Sequence, residues 1–125
     1  MQEELRVEME DCGIDVNGAL SRMMGNEKLF FRVMKKFLED NTYKNLIAKL
    51  EEEDYEEAFK SAHALKGVAA NLGLNPIMDA DSVIVEKLRN HNIEGIKEDV
   101  EKLTKEYQQI YAVLEKINTS FAMNF

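Results

Sequence analysis

The sequence predicts an all-α fold, an antiparallel up-and-down four-helix bundle with a short N-terminal capping helix. Three observations predict it. The 125 residues include one proline and six glycines, and they are rich in Leu, Ala, Glu, Lys and Met, whose side chains lose little rotamer freedom in a helix. Apolar residues recur at three- and four-residue steps over several long stretches, the period of a helix with one buried face. Asp, Asn and Gly stand where those stretches begin and end, as helix caps do. The length suits one domain with a real hydrophobic core.

Each element follows in order. Met1 to Glu10 reads as an additional helix or a frayed end. Asp15 opens a short helix that Gly25 stops, expected to pack as a lid. Asn26 then caps a longer pattern in which Leu29, Phe30, Val33, Phe37, Leu46, Ile47 and Leu50 recur at three- and four-residue steps, read as one long helix, kinked at a join around Asn41 and Thr42. Asp54 and Glu57 have the spacing of a capping box, predicting a helix from about Tyr55 to Leu72 that Gly73 ends. Asn75-Pro76 reads as a cap with proline at the first helical position, followed by a buried stripe of Ile77, Ala80, Ile84 and Leu88. Asn90-His91-Asn92 is a turn. Beyond it Ile93, Ile96, Val100, Leu103, Tyr107, Ile110, Leu114 and Ile117 keep helical spacing without a miss, the strongest such signal in the chain. Amphipathic segments joined by short links pack most simply as an antiparallel bundle.

Charge and composition exclude several functions. A net charge of −8 and a pI near 4.8 argue against nucleic acid, whose phosphates are bound by clustered Lys and Arg. The first ten residues are too charged for a signal peptide, and no apolar run approaches the roughly 18 residues of a membrane span. A soluble, cytoplasmic protein without membrane insertion is expected. Cys12 is the one cysteine, so neither an internal disulfide nor a cysteine zinc cluster can form within this chain.

Of the two histidines, His91 falls in the expected turn, whereas His63 sits mid-helix. An advance of about 100° per residue puts Ala58, Ala62, Leu65, Val68, Ala69 and Leu72 on one side and His63 on the other. Glu56, Phe59, Lys60, Lys66, Gly67 and Ala70 share its outward face. Gly67 lowers helix stability by about 1 kcal/mol relative to alanine, an odd choice there unless close approach is wanted. Ala64 and Ala70 keep the neighbourhood low, and Phe59 offers apolar surface to a partner. Lys60 and Lys66, three residues before and after His63, can flank a doubly negative phosphoryl group on the ring. A histidine, with an ordinary pKa of about 6.5, offers a neutral nucleophilic nitrogen for such a group.

The run Ala62-His63-Ala64-Leu65-Lys66-Gly67-Val68-Ala69-Ala70-Asn71-Leu72-Gly73 resembles the His-x-x-Lys-Gly signature helix of the histidine-containing phosphotransfer (HPt) family. Gly13-Ile14-Asp15-Val16-Asn17, Ala19-Leu20-Ser21-Arg22 and Gly25-Asn26 are similar to that family's usual entry. The resemblance implies an HPt bundle over 13–118, with 1–12 an N-terminal extension and 119–125 a C-terminal tail. It implies a phosphorelay intermediate without kinase activity of its own, in which His63 accepts a phosphoryl group from a receiver aspartate and passes it to another. Lys66 would stabilise the charge and Gly67 would give access. Phe59, Lys60, Ala64, Ala70 and Asn71 would form the docking face. The implied partners are response-regulator receiver domains and hybrid sensor histidine kinases. No cofactor or metal is expected on this chain, with Mg2+ carried by the receiver. Val68 departs from the pattern, standing where many relatives have serine or another small residue.

Rival readings are weaker. A non-catalytic adaptor could bind a partner through the Phe59–His63 face, but His, Lys and Gly are all in place. A metal-binding bundle needs inward carboxylates with Glu-x-x-His motifs, and none occurs. No Gly-rich phosphate loop, kinase signature or recognisable triad order is present.

Overall fold

The structure is a computed structural model that describes residues 1–123. Every regular element among them is a helix: α1 (Glu3–Asp11), α2 (Val16–Arg22), α3 (Glu27–Glu39), α4 (Thr42–Glu51), α5 (Tyr55–Leu72), α6 (Asn75–Arg89) and α7 (Ile96–Met123). The all-α expectation holds. The first segment is helical as α1, and α7 runs into the segment read as a tail, whose last residues, 124–125, lie outside the described ones.

Side-chain caps start three of the helices. Asp15 Oδ1 accepts from the Gly18 N–H at 3.0 Å, Asn26 Oδ1 from Leu29 at 3.0 Å, and Asp54 Oδ1 from Glu57 at 3.3 Å. Each satisfies one of the N–H groups that a helix start leaves without a partner. The capping box expected at α5 is half formed. The Asp54 N–H donates to the Lys49 carbonyl at 2.9 Å, which leaves Glu57 nothing to reach back for, and its carboxylate takes Lys60 instead. At α6 the cap is Leu74 rather than Asn75, and Pro76 falls inside the first turn, because the Asn75 N–H is drawn back to the Gly73 carbonyl at 2.8 Å.

Two boundaries differ from the sequence reading. The long helix expected after Asn26 is two: Asp40 turns extended at ψ 136°, and its carboxylate accepts from the Thr42 N–H at 2.7 Å to restart the chain as α4. The last helix starts at Ile96 rather than Ile93, since the preceding turn is held by Asn92 Oδ1 accepting from the Glu94 N–H at 3.1 Å.

Helix α5 lies between α4 and α6; α6 packs in turn on α7, and α7 closes back on α3. Aromatic residues of α7 fill the α3–α4 joint. The Tyr111 hydroxyl donates to the Leu38 carbonyl at 3.1 Å, the Tyr43 hydroxyl meets Thr104 Oγ1 at 2.7 Å, and the Tyr43 and Tyr107 rings stack with centroids 3.9 Å apart. Phe30, Met34, Leu46, Leu65, Ile84, Leu103, Ile110 and Leu114 are fully buried within the bundle, each worth about 1.5–3 kcal/mol relative to exposure. Helix α1 adds Met9 to this core, and Glu8 pairs with Lys116 of α7 at 2.6 Å.

The N-terminal helices are pinned to the α5–α6 turn. Ile14 and Leu74 form an isolated antiparallel bridge, and the Asp15 N–H donates to the Gly73 carbonyl at 2.8 Å. Gly73 has φ 71°, and a Cβ there would lie 2.4 Å from the Asp15 carbonyl oxygen, so both the turn and the close approach require glycine. The short helix expected as a lid, α2, accordingly rests by the C-terminal end of α5, where Arg22 Nε donates to the Asn71 carbonyl at 3.4 Å. No helix among the described residues is long and apolar enough to cross a membrane.

Candidate functional site

Helix α5 divides its faces much as its sequence spacing requires. Ala58, Ala62, Leu65, Ala69 and Leu72 are buried, while Val68, expected with them, is half-buried. His63 is exposed on the opposite side together with Ala64, Gly67 and Asn71. Its imidazole touches the Phe59 ring edge-on, with centroids 6.0 Å apart. A Cβ placed on Gly67 would meet nothing within 4 Å. The approach to the ring from that side is open.

The cations around His63 are not equivalent. Lys60 is exposed and already held by Glu57 at 3.2 Å; that hydrogen bond and the carboxylate's charge raise its pKa. Lys66 is half-buried on α5 and makes no hydrogen bond or ion pair among the described residues. It has an ammonium free to meet an anion at His63.

Alongside the neighbouring Ala64 and Gly67, α3 and α5 border a groove of about 500 Å³. Val33, Lys36 and Phe37 line it from α3, and Ala64, Gly67 and Asn71 from α5. Small residues of α5 form much of its floor with Val68, and Lys36 and Asp40 bring one charge of each sign to its edge. Of the residues expected to dock a partner, Ala64 and Asn71 are in this groove. Phe59 and Ala70 are half-buried outside it, and Lys60 is also outside its lining.

Three residues near the site escaped the sequence reading. Lys36 required knowing which face of α3 meets α5. Arg89 reaches from α6 over the Phe59 ring, 5.7 Å from its centroid, while pairing with Glu86, and only the packing of α5 on α6 brings it there. Asp81 is the third. It is fully buried in the α6 stripe, with neither carboxylate oxygen holding a hydrogen bond among the described residues. Burial pushes its carboxyl up from 3.8 to about 7, and the Lys66 charge pulls it partly back. The stripe runs Ile77, Asp81, Ile84, Leu88, a clean four-three-four spacing that could have marked a carboxylate in an apolar row. Ala80, read into that stripe from sequence, is half-buried.

Among the described residues no group of three or more His, Cys, Asp or Glu side chains is placed to hold a metal ion. The arrangement offers an accessible imidazole, an unpaired ammonium one turn away, and open space beside the ring. These suit a group that arrives on a partner and carries negative charge. No curated protein and no solved structure gives a significant match to the chain. The family model for the Hpt domain matches residues 32–113, a span that begins in α3, ends in α7 and contains the whole of α5. With its exposed histidine on the central helix of that span, the chain belongs to the Hpt domain family, the histidine phosphotransfer domains of phosphorelays.

Proposed function

We propose that His63 is the phosphoacceptor, taking a phosphoryl group from a receiver-domain aspartate and delivering it to another. The observation that carries this reading is the combination on one face of α5: an exposed imidazole, the unpaired Lys66 ammonium and the open space at Gly67. In the accepting step a neutral ring nitrogen attacks phosphorus. The N–P bond forms as the P–O bond to the aspartate breaks, and the electron pair stays on the released carboxylate. Delivery is the reverse. The bundle contributes position and charge rather than a base or a nucleotide site, and the receiver is expected to bring the aspartate and its Mg2+. The chain thereby acts as a phosphocarrier without its own kinase activity, working in the cytoplasm with response-regulator receivers and hybrid sensor kinases.

Lys66 stabilises the phosphoryl group by a charge-assisted hydrogen bond, a contact worth about 1.5–3 kcal/mol. Lys66→Ala is therefore expected to lower transfer from a phosphorylated receiver by about 10–100-fold, measured in a rapid-quench assay. Ala64, Gly67 and Asn71 form the docking floor, with Lys36 and Phe59 at its margins.

The deciding experiment mixes the purified chain with a phosphorylated receiver domain and Mg2+, then measures acid-labile, base-stable phosphate on the chain. The wild type is expected to carry label and His63→Gln none. Equal label on His63→Gln, or no label from a broad panel of receivers, would overturn the assignment and favour a non-catalytic adaptor that binds through the Phe59–His63 face.

A further inference from the structure

Asp81 occupies the buried row of α6 between Ile77 and Ile84, fully buried and without a hydrogen bond to either oxygen. An ionised carboxylate in such a place is costly unless a cation compensates it. The charges on the packed helices narrow the choice. On α6 itself, Glu86 pairs with Arg89, and Lys87 pairs with Asp99 of α7. Asp79 is exposed and lines, with Lys102 and Glu106 of α7, a separate cleft bordered by Val83. From α5 comes Lys66, half-buried and unpaired, and its charge is the one that acts on Asp81. The same side chain stands three residues from His63.

We infer that Asp81 is a positioning residue that competes with a phosphoryl group on His63 for the Lys66 ammonium, so that phosphorylation of His63 and protonation of Asp81 are linked. The inference rests on the phosphocarrier reading above. In the unphosphorylated chain the Lys66 charge acts on Asp81 alone and favours the ionised carboxylate. A phosphoryl group brings about two negative charges to the outer side of the same ammonium. Lys66 then turns outward, and Asp81, losing its compensating cation, takes a proton from solvent. No covalent bond to a heavy atom changes at Asp81. By reciprocity, a protonated Asp81 favours phosphate on His63, and an ionised Asp81 favours its delivery to the receiver. Occupancy of His63 therefore falls, relative to a variant lacking this carboxyl, as pH rises through about 7, where Asp81 loses its proton.

The test follows the Asp81 carboxyl by carbon-13 NMR across a pH titration of the full chain, before and after phosphorylation with phosphoramidate. The wild type, His63→Gln and Lys66→Met are compared. Phosphorylation is expected to move the Asp81 midpoint about one pH unit higher, equivalent to about tenfold in the phosphoryl equilibrium. His63→Gln should show no such rise, and Lys66→Met should start from a higher midpoint and move little. A wild type that takes phosphate on His63 while the Asp81 midpoint stays put overturns the linkage and leaves the phosphocarrier reading standing. A wild type that takes no phosphate on His63 overturns that reading and the linkage with it. Partition of labelled phosphate between the chain and a receiver provides a second readout. Between about pH 6 and 8, the wild type should lose occupancy more steeply than Asp81→Asn by up to about tenfold, and superimposable profiles would overturn the inference.

Discussion

At Gly67 stability and access pull in opposite directions. A methyl group there would meet nothing within 4 Å, and alanine is about 1 kcal/mol better than glycine in a helix interior. Gly67→Ala is thus expected to raise the urea midpoint while slowing transfer from a receiver, with direct phosphorylation by the small donor phosphoramidate little changed. Loss of transfer together with loss of stability would assign the glycine to folding instead. Asp81 presents the converse case, a buried group whose charge works against the fold. Its folded pKa, about 7, lies above its ordinary 3.8, so the folded state binds the proton more tightly. The resulting penalty is absent below about pH 4, grows as pH rises toward 7 and is complete above it. Each tenfold difference in proton affinity between the folded and unfolded chain is worth about 1.4 kcal/mol. Relative to Asp81→Asn, the wild type should therefore lose a few kcal/mol of stability between about pH 4 and 8, as urea melts at stepped pH would show. That His63, Lys66 and Gly67 stand together on α5 was legible because one contiguous turn of one helix carries them. Asp81 was not, because its polarity took it out of an apolar row whose spacing it keeps.

Among the elements, α5 depends on what holds its two ends. Its first turn relies on the Asp54 side chain alone, the reciprocal Glu57 contact being absent; Asp54→Ala should cost about 1 kcal/mol. Its last turn depends on Gly73, where any side chain adds the strain of a left-handed residue, about 1–2 kcal/mol, to a collision with the Asp15 carbonyl. Gly73→Ala should therefore lower the thermal midpoint further than Asp54→Ala and expose the Asp15 amide to hydrogen exchange. The sequence carried the Gly73 stop but not its partner, since the Asp15–Gly73 hydrogen bond joins residues 58 apart. The break at Asp40 was legible only as a join around Asn41 and Thr42 in one long helix. Phe37 and Leu46 stand nine residues apart, half a turn out of phase on one continuous helix, and the device that makes the break is a short polar side chain capping two residues ahead.

For the molecule as a whole, the family match covers 32–113, leaving α1 and α2 outside a span that includes the proposed phosphoacceptor. Helix α1 packs on α7 and α2 rather than along α5, and it places Met9 in the core. Deleting residues 1–11 is expected to cost about 2–5 kcal/mol, the scale of emptying a buried methionine site, as seen in thermal melts. Transfer measured well below the new midpoint should be retained. The all-helical bundle was readable from periodicity, but the seating of the first two helices was not, because it depends on contacts between distant parts of the chain. On the proposed reading every transfer passes through His63. Its imidazole opens to a single side, with α5 backed by the buried row of Ala58, Ala62, Leu65, Ala69 and Leu72. Under that reading, donor and acceptor receivers would share this one doorway and take turns: the first would have to leave before the second could arrive. Transfer between two receivers should then show ping-pong kinetics, and an excess of either unphosphorylated receiver should slow the relay by occupying the landing place of the other.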